Sequence, residues 1–290
     1  VHLKAQQKAH LLFLLQPQAT ELEIQTRARQ VGYVHALIGV TGRLLLKSMA
    51  LYRQQLNLFI GQALFTGRER YYLTQVLDAR LELDIQEQLA YQDTVFYTYL
   101  DVLSLPLAGS DGLFVDALRA EIQMFGRLPG IVLVLLLRLN ADGVFVVEQA
   151  GGPQAETAVA LMLRPGFEIS IDPQSPNGQG LVAQCWRAQT VLSSPSYAKD
   201  PKYAVWRPVA ETMGIRSHLA IPIINAAGHS TWVLSLYGAY PHQFEIPVMR
   251  HFAHGIQHRF EQFLRQRRTP ASSPVPIDQA RVWITRLFDG

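Results

Sequence analysis

Through roughly the first hundred residues apolar positions recur every three or four residues and glycine and proline are sparse, so helices are predicted over 2–15, 20–37, 41–65 and 68–103. Pro17 followed by Thr20-Glu21-Leu22-Glu23 supplies the first break and the next helix start. In the third helix Leu45, Met49, Tyr52, Leu56, Phe59 and Ile60 form one face. Leu73, Val76, Leu77 and Leu81 do the same in the fourth. Joined by a short turn at Thr66-Gly67, these two helices make an antiparallel hairpin with apolar surface to spare, and a homodimer is expected.

The period changes after Pro106 and Ala108-Gly109-Ser110-Asp111-Gly112. A connecting helix is predicted over 113–125, then strands over 131–139 and 143–149 around Asn140-Ala141-Asp142-Gly143, a strong hairpin signal. A further strand is expected at 158–163, helices at 179–187 and 203–213, and strands at 218–224 and 231–237 around Asn225-Ala226-Ala227-Gly228. A closing helix covers 247–268. The pattern predicts an α+β chain: an all-α N-terminal bundle over 1–105 and a domain with a central antiparallel sheet and flanking helices over 106–268. Residues 269–276, with three prolines and two serines, read as a linker, and 277–288 as the start of a helix leading onward.

Composition narrows the function. Over 290 residues, 49% hydrophobic content supports two buried cores rather than a disordered chain. The net charge of +3 is scattered, so nucleic acid is not an implied partner. One cysteine, Cys185, excludes an internal disulfide framework and a zinc site built from several thiolates, which suits a reducing cytoplasm. The longest apolar run, 131–137, is far shorter than the roughly 20 residues a bilayer requires, so no membrane partner is expected. The first residues lack a signal-peptide layout, and a start other than Met suggests a piece of a longer protein. Neither a Gly-x-Ser-x-Gly elbow nor a phosphate-cradling Gly-x-x-x-x-Gly-Lys loop occurs, and an enzyme within this chain is not expected.

The stretch Val31-Gly32-Tyr33-Val34-His35-Ala36-Leu37-Ile38-Gly39-Val40 resembles the haem-proximal segment of sensor globins, and the two helices after it resemble the last two of that family. Complete members carry further helices ahead of this point, so 1–105 is expected to be a truncated globin-like domain. The resemblance implies haem in the full-length parent. His35 would be the axial ligand of the iron, Gly32 and Gly39 would let the porphyrin approach, and His10 would stand on the distal side. The alternatives are a histidine packed between helices or exposed at a helix end at His35, and a surface histidine at His10.

A second resemblance, to GAF domains, rests on Gly180-Leu181-Val182-Ala183-Gln184 with Arg187 and Thr190-Val191, then Asp200-Pro201 and Trp206. It continues with Gly214-Ile215-Arg216-Ser217-His218-Leu219-Ala220-Ile221-Pro222-Ile223, the strand Val233-Leu234-Ser235-Leu236-Tyr237, and Phe244. It implies a pocket over the sheet and under 193–206, with Tyr197, Tyr203, Trp206 and Arg216 near it as ligand-binding residues. Their alternative role is to cap the core with aromatic rings. Cys185 precedes Trp186, whereas chromophore-attaching cysteines of GAF photoreceptors are typically followed by His, and it reads as inert packing. His251, His254 and His258 could share a helix face, but that helix is expected to be a dimer stalk rather than a metal site.

Together the two resemblances imply the sensory region of a bacterial signalling protein that controls cyclic di-GMP. A small molecule or gas would be sensed, and a GGDEF or EAL output domain would lie beyond Gly290. The rival reading is a structural dimerisation module that binds nothing small.

Overall fold

The computed structural model describes residues 2–107 and 114–268. The helix expected at 277–288 and the segment 108–113 lie outside the described residues. Four helices come first: α1 (His2–Leu14), α2 (Glu21–Leu37), α3 (Gly42–Gln62) and α4 (Gly67–Ser104). Their starts follow from local chemistry. Thr20 and Thr66 each accept a hydrogen bond from the backbone of the third helical residue, while Glu23 and Glu69 reach back to the threonine backbone. These reciprocal bonds hold both carboxyls below their ordinary range. A cluster of Leu14, Ile24, Leu45, Met49, Leu77, Leu81 and Ile85 joins the four helices. Phe59, expected on the inner face of α3, is instead 68% exposed, because the face turns through Leu56 and Ile60 and leaves Phe59 on the far side.

Gly32 and Gly39 both have roles within this bundle. A Cβ on Gly32 would stand 2.4 Å from the Gln88 carbonyl oxygen, so α2 and α4 meet backbone to backbone there. Gly39, at φ +77°, takes the left-handed position that ends α2, with Val40 N–H donating to His35 O.

The α5 helix (Phe114–Phe125) leads into a six-stranded antiparallel sheet of β1 (Ile131–Leu139), β2 (Val144–Gly151), β3 (Ile169–Ser170), β4 (Leu192–Ser194), β5 (Ser217–Ile224) and β6 (Ser230–Gly238). Its order is β3-β2-β1-β6-β5-β4. Both hairpin loops use the same device. Asn140 Oδ1 accepts from Asp142 and Val144 N–H before Gly143 at φ +75°, and Asn225 Oδ1 accepts from Ala227 and His229 N–H before Gly228 at φ +81°.

Short helices α6 (Ala155–Met162), α7 (Leu181–Ala188) and α8 (Arg207–Thr212) cover one face of the sheet, and α5 and α9 (Pro247–Arg268) cover the other. Burial on both faces explains the unbroken apolar run of β1: Val134 and Leu136 share the core on the side of α5 and α9, whereas Leu133, Leu135 and Leu137 share the core on the side of α6, α7 and α8. The strand expected at 158–163 is the helix α6, since Ala-Glu-Thr-Ala-Val-Ala-Leu-Met is rich in strong helix formers. The helix expected at 203–213 is broken into a 3₁₀ turn, Pro201–Tyr203, and α8, with Pro208 in the first turn of the latter.

The helical segment is continuous with this domain. Ala36, Leu37, Val95, Tyr99 and Val102 share a core with Phe125, Phe252 and the inner residues of β5 and β6. Polar groups close the seam: Tyr33 Oη accepts from Gly130 N–H at 2.9 Å, Tyr99 Oη donates to Pro129 O, and Gln243 Nε2 donates to Tyr99 Oη at 3.1 Å. Burial raises the Tyr99 phenol far above its ordinary range, so it stays a donor at any working pH. No helix among the described residues is long and apolar enough to cross a membrane.

Candidate functional site

Between the sheet and the layer of α6, α7 and α8 lies a cavity of about 70 Å³. Leu133, Leu135, Leu181, Val182, Met213 and Ile215 supply much of its apolar wall, and Tyr197, Tyr203, His218 and Tyr237 supply its polar atoms. Its roof is the segment 193–206, which folds as it does because of Asp200. That carboxylate accepts from Ser194 Oγ at 2.9 Å and from Lys202 N–H at 3.2 Å, starting the 3₁₀ turn that carries Tyr203 inward, and it pairs with Lys202 Nζ at 3.1 Å. Tyr197 is fixed from below, its N–H donating to Arg216 O at 2.8 Å. Trp206 closes one end by lying across Gly180, where a Cβ would stand 3.1 Å from the indole.

The aromatic groups form two stacked pairs. Tyr197 and Tyr203 lie 3.8 Å apart between ring centroids, and His218 and Tyr237 lie 4.2 Å apart. A hydrogen bond of 2.9 Å between Tyr203 Oη and His218 Nδ1 ties one pair to the other. His218 Nε2 is buried without a partner. Burial, with Lys202 nearby, pushes the His218 imidazolium down to about 3, so the ring is neutral, and burial raises the three phenols well above their ordinary range.

Tyr197, Tyr203 and Trp206 therefore line the cavity, as the sequence led us to expect. Arg216 does not. Its side chain is exposed and borders a separate, open crevice with Lys199 and His242: residue 216 lies just before β5 begins at Ser217, and there it is Ile215 that turns into the cavity. Sequence reasoning missed His218 and Tyr237. Period-two alternation in each strand marks both as inward, but their stacking depends on the register that sets His218 opposite Tyr237. Cys185 is fully buried and its thiol is pushed far up, as inert packing requires.

In the helical segment His35 and His10 converge on α4. His10 Nε2 donates to Asp84 Oδ1 at 2.9 Å, Gln88 Nε2 donates to Asp84 Oδ2 at 2.8 Å, and His35 lies beside Gln88. His10 is therefore held by a buried carboxylate. Burial lowers the pKa of His35, and its Nδ1 is buried without a partner. Of the residues that the globin resemblance assigned to haem, His35 and His10 each keep a buried Nδ1 without a partner, His35 beside Gln88 and His10 held by Asp84, while Gly32 and Gly39 serve helix packing and helix termination. His251, His254 and His258 are exposed; His254 bonds Arg250 O and His258 bonds Gln262 along their own helix. Among the described residues no group of three or more His, Cys, Asp or Glu could hold a metal ion.

A family model described as the GAF domain matches residues 130–258, which contain the whole sheet and the cavity. No curated protein matches the chain. Similar solved structures include the A. aeolicus nlh2 GAF domain in an inactive state, at 12% identity and TM-score 0.41, covering 60% of this chain and 96% of that one. The reduced form of fRMsr of Staphylococcus aureus is 13% identical with TM-score 0.43, over 59% of this chain and 94% of that one. The type II free methionine-R-sulfoxide reductase from Thermoplasma acidophilum is 14% identical with TM-score 0.39, over 53% and 96%. On the family match, residues 130–258 of this chain are a GAF domain, a sensory and regulatory domain of signalling proteins.

Proposed function

We propose that this chain is the ligand-sensing region of a bacterial signalling protein, that it works as a homodimer, and that the state of its cavity reaches a following output domain through α9. The observation that carries this reading is the shared sheet. On β5 and β6, His218 and Tyr237 face the cavity while their neighbours Leu219 and Leu236 pack into the core that α9 completes with Met249, Phe252, Ile256 and Phe260. A rearrangement around a ligand on one face thus displaces the seat of α9 on the other. Coupling of this kind requires that the ligand bind two packings with different affinity. The order of a globin-like helical segment and a GAF domain supports an output that makes or degrades cyclic di-GMP.

Self-association is supported by α3, where Leu44, Leu51 and Leu58 recur every seventh residue and are 54%, 52% and 52% exposed. An apolar stripe at heptad spacing suits a helix of a second copy. The full chain is expected to have the mass of a dimer by light scattering at micromolar concentration, and Leu51→Glu to be monomeric. A monomeric wild-type chain would remove the relay and this reading with it.

Within the parent protein, His35 would hold haem, which supplies an iron able to take a diatomic gas. Added haemin is expected to give a Soret band that His35→Ala loses. A band retained in that variant, or none in the wild type, rejects the assignment.

A further inference from the structure

We infer that the cavity takes a small, mostly apolar molecule with a single polar group, and that this group hydrogen-bonds to His218 Nε2. The inference rests on the sensory reading of the same domain and adds the chemistry of what is sensed.

Size sets the first limit. At about 70 Å³ the cavity is roughly half of an engineered protein cavity that accepts benzene, about 150 Å³. A nucleotide is far too large. A ligand on the order of five heavy atoms fits without repacking, since pockets for larger molecules start at about 300 Å³.

Polarity sets the second limit. His218 is 1% exposed and lines the cavity, yet Nε2 has no partner, and buried polar atoms in folded proteins nearly always have one. The other ring nitrogen, Nδ1, is held by Tyr203 Oη across 2.9 Å. A neutral imidazole has one N–H and one bare nitrogen, so with Nδ1 committed to the phenol it is Nε2 that a ligand meets, as donor or as acceptor according to the tautomer. The stacked rings and the leucine wall exclude a charged partner.

Pyrrole, tetrahydrofuran and cyclopentane test this, being five-membered rings of similar size that offer respectively an N–H donor, an oxygen acceptor and no polar group. With the full chain carrying ¹⁵N-labelled histidine, the ring signal absent from His218→Phe identifies residue 218 and its tautomer. The polar ring that complements that tautomer, pyrrole for a bare Nε2 and tetrahydrofuran for an Nε2–H, should move the Nε2 resonance and bind on the order of tenfold to a hundredfold more tightly than cyclopentane, because cyclopentane leaves Nε2 buried and unpaired. His218→Phe should lose that preference while the other signals stay dispersed. Equal binding of the three rings, binding of none, or an unchanged preference in His218→Phe each overturns the inference. None of these results alters the dimer mass, on which the sensory reading stands separately.

Discussion

Arg259→Ala is expected to lower the free energy of unfolding by about 3–5 kcal/mol, the range found when one partner of a buried ion pair is removed. The guanidinium is 6% exposed and the Glu121 carboxylate 3%. Arg259 Nε and one terminal nitrogen each donate to a Glu121 oxygen at 2.6 Å, a bidentate pairing that fixes α9 against α5. The remaining donors reach Leu105 O at 2.5 Å and Pro106 O at 3.1 Å, just past the end of α4. One side chain thus satisfies a buried carboxylate and two backbone carbonyls on two other parts of the chain. Alanine leaves Glu121 charged, buried and without this partner. Urea denaturation of the full chain measures the loss, and the double variant Arg259→Met, Glu121→Met should recover much of it, because the carboxylate no longer needs a cation. A loss below about 1 kcal/mol for Arg259→Ala would place the pair among solvent-screened bridges and contradict the geometry. The same contact joins the helix proposed as the output path to the end of the helical segment. Signalling should therefore weaken in this variant even where the fold persists.

The value of Arg259 could not be read from the sequence, and the reason is general to this chain. Partners 138 residues apart carry no local signature. What was legible is what short-range chemistry determines: the starts of α2 and α4 from Thr20 and Thr66 with glutamate three residues on, and both hairpins from an asparagine followed by a glycine three residues later. The four long strands β1, β2, β5 and β6 and the closing helix were legible from periodicity and turn signals. The strands β3 and β4 were not, because pieces of two and three residues are too short to show alternation, and they exist only through pairing with β2 and β5. The same limit governed the site. Tyr197, Tyr203 and Trp206 lie on one folded segment and could be named together. The partner they meet, His218, comes from a strand whose register no local pattern supplies.

That buried histidine should also make the protein sensitive to acid before its carboxylates do. His218 ionises near 6.5 in the unfolded chain but only near 3 in the fold, since burial disfavours the charged ring. Between these values the unfolded state binds a proton that the folded state does not, so stability falls as the pH drops from about 6.5 towards 3, by about tenfold in the folding equilibrium per pH unit. From neutrality to about pH 5 this amounts to roughly 2 kcal/mol. His35, also depressed by burial, adds to the slope with the same sign. The glutamates of the two helix caps act in the same direction, but their stabilisation is lost only as the pH falls below the carboxylate range near 4.5. Denaturation midpoints measured between about pH 7 and pH 5 therefore isolate the histidines. In His218→Phe the decline should be much shallower, leaving the smaller slope of His35. A variant that loses stability with acid as steeply as the wild type would show that residue 218 is not held neutral. The ring would then have access to water, against its burial of all but 1% of its surface.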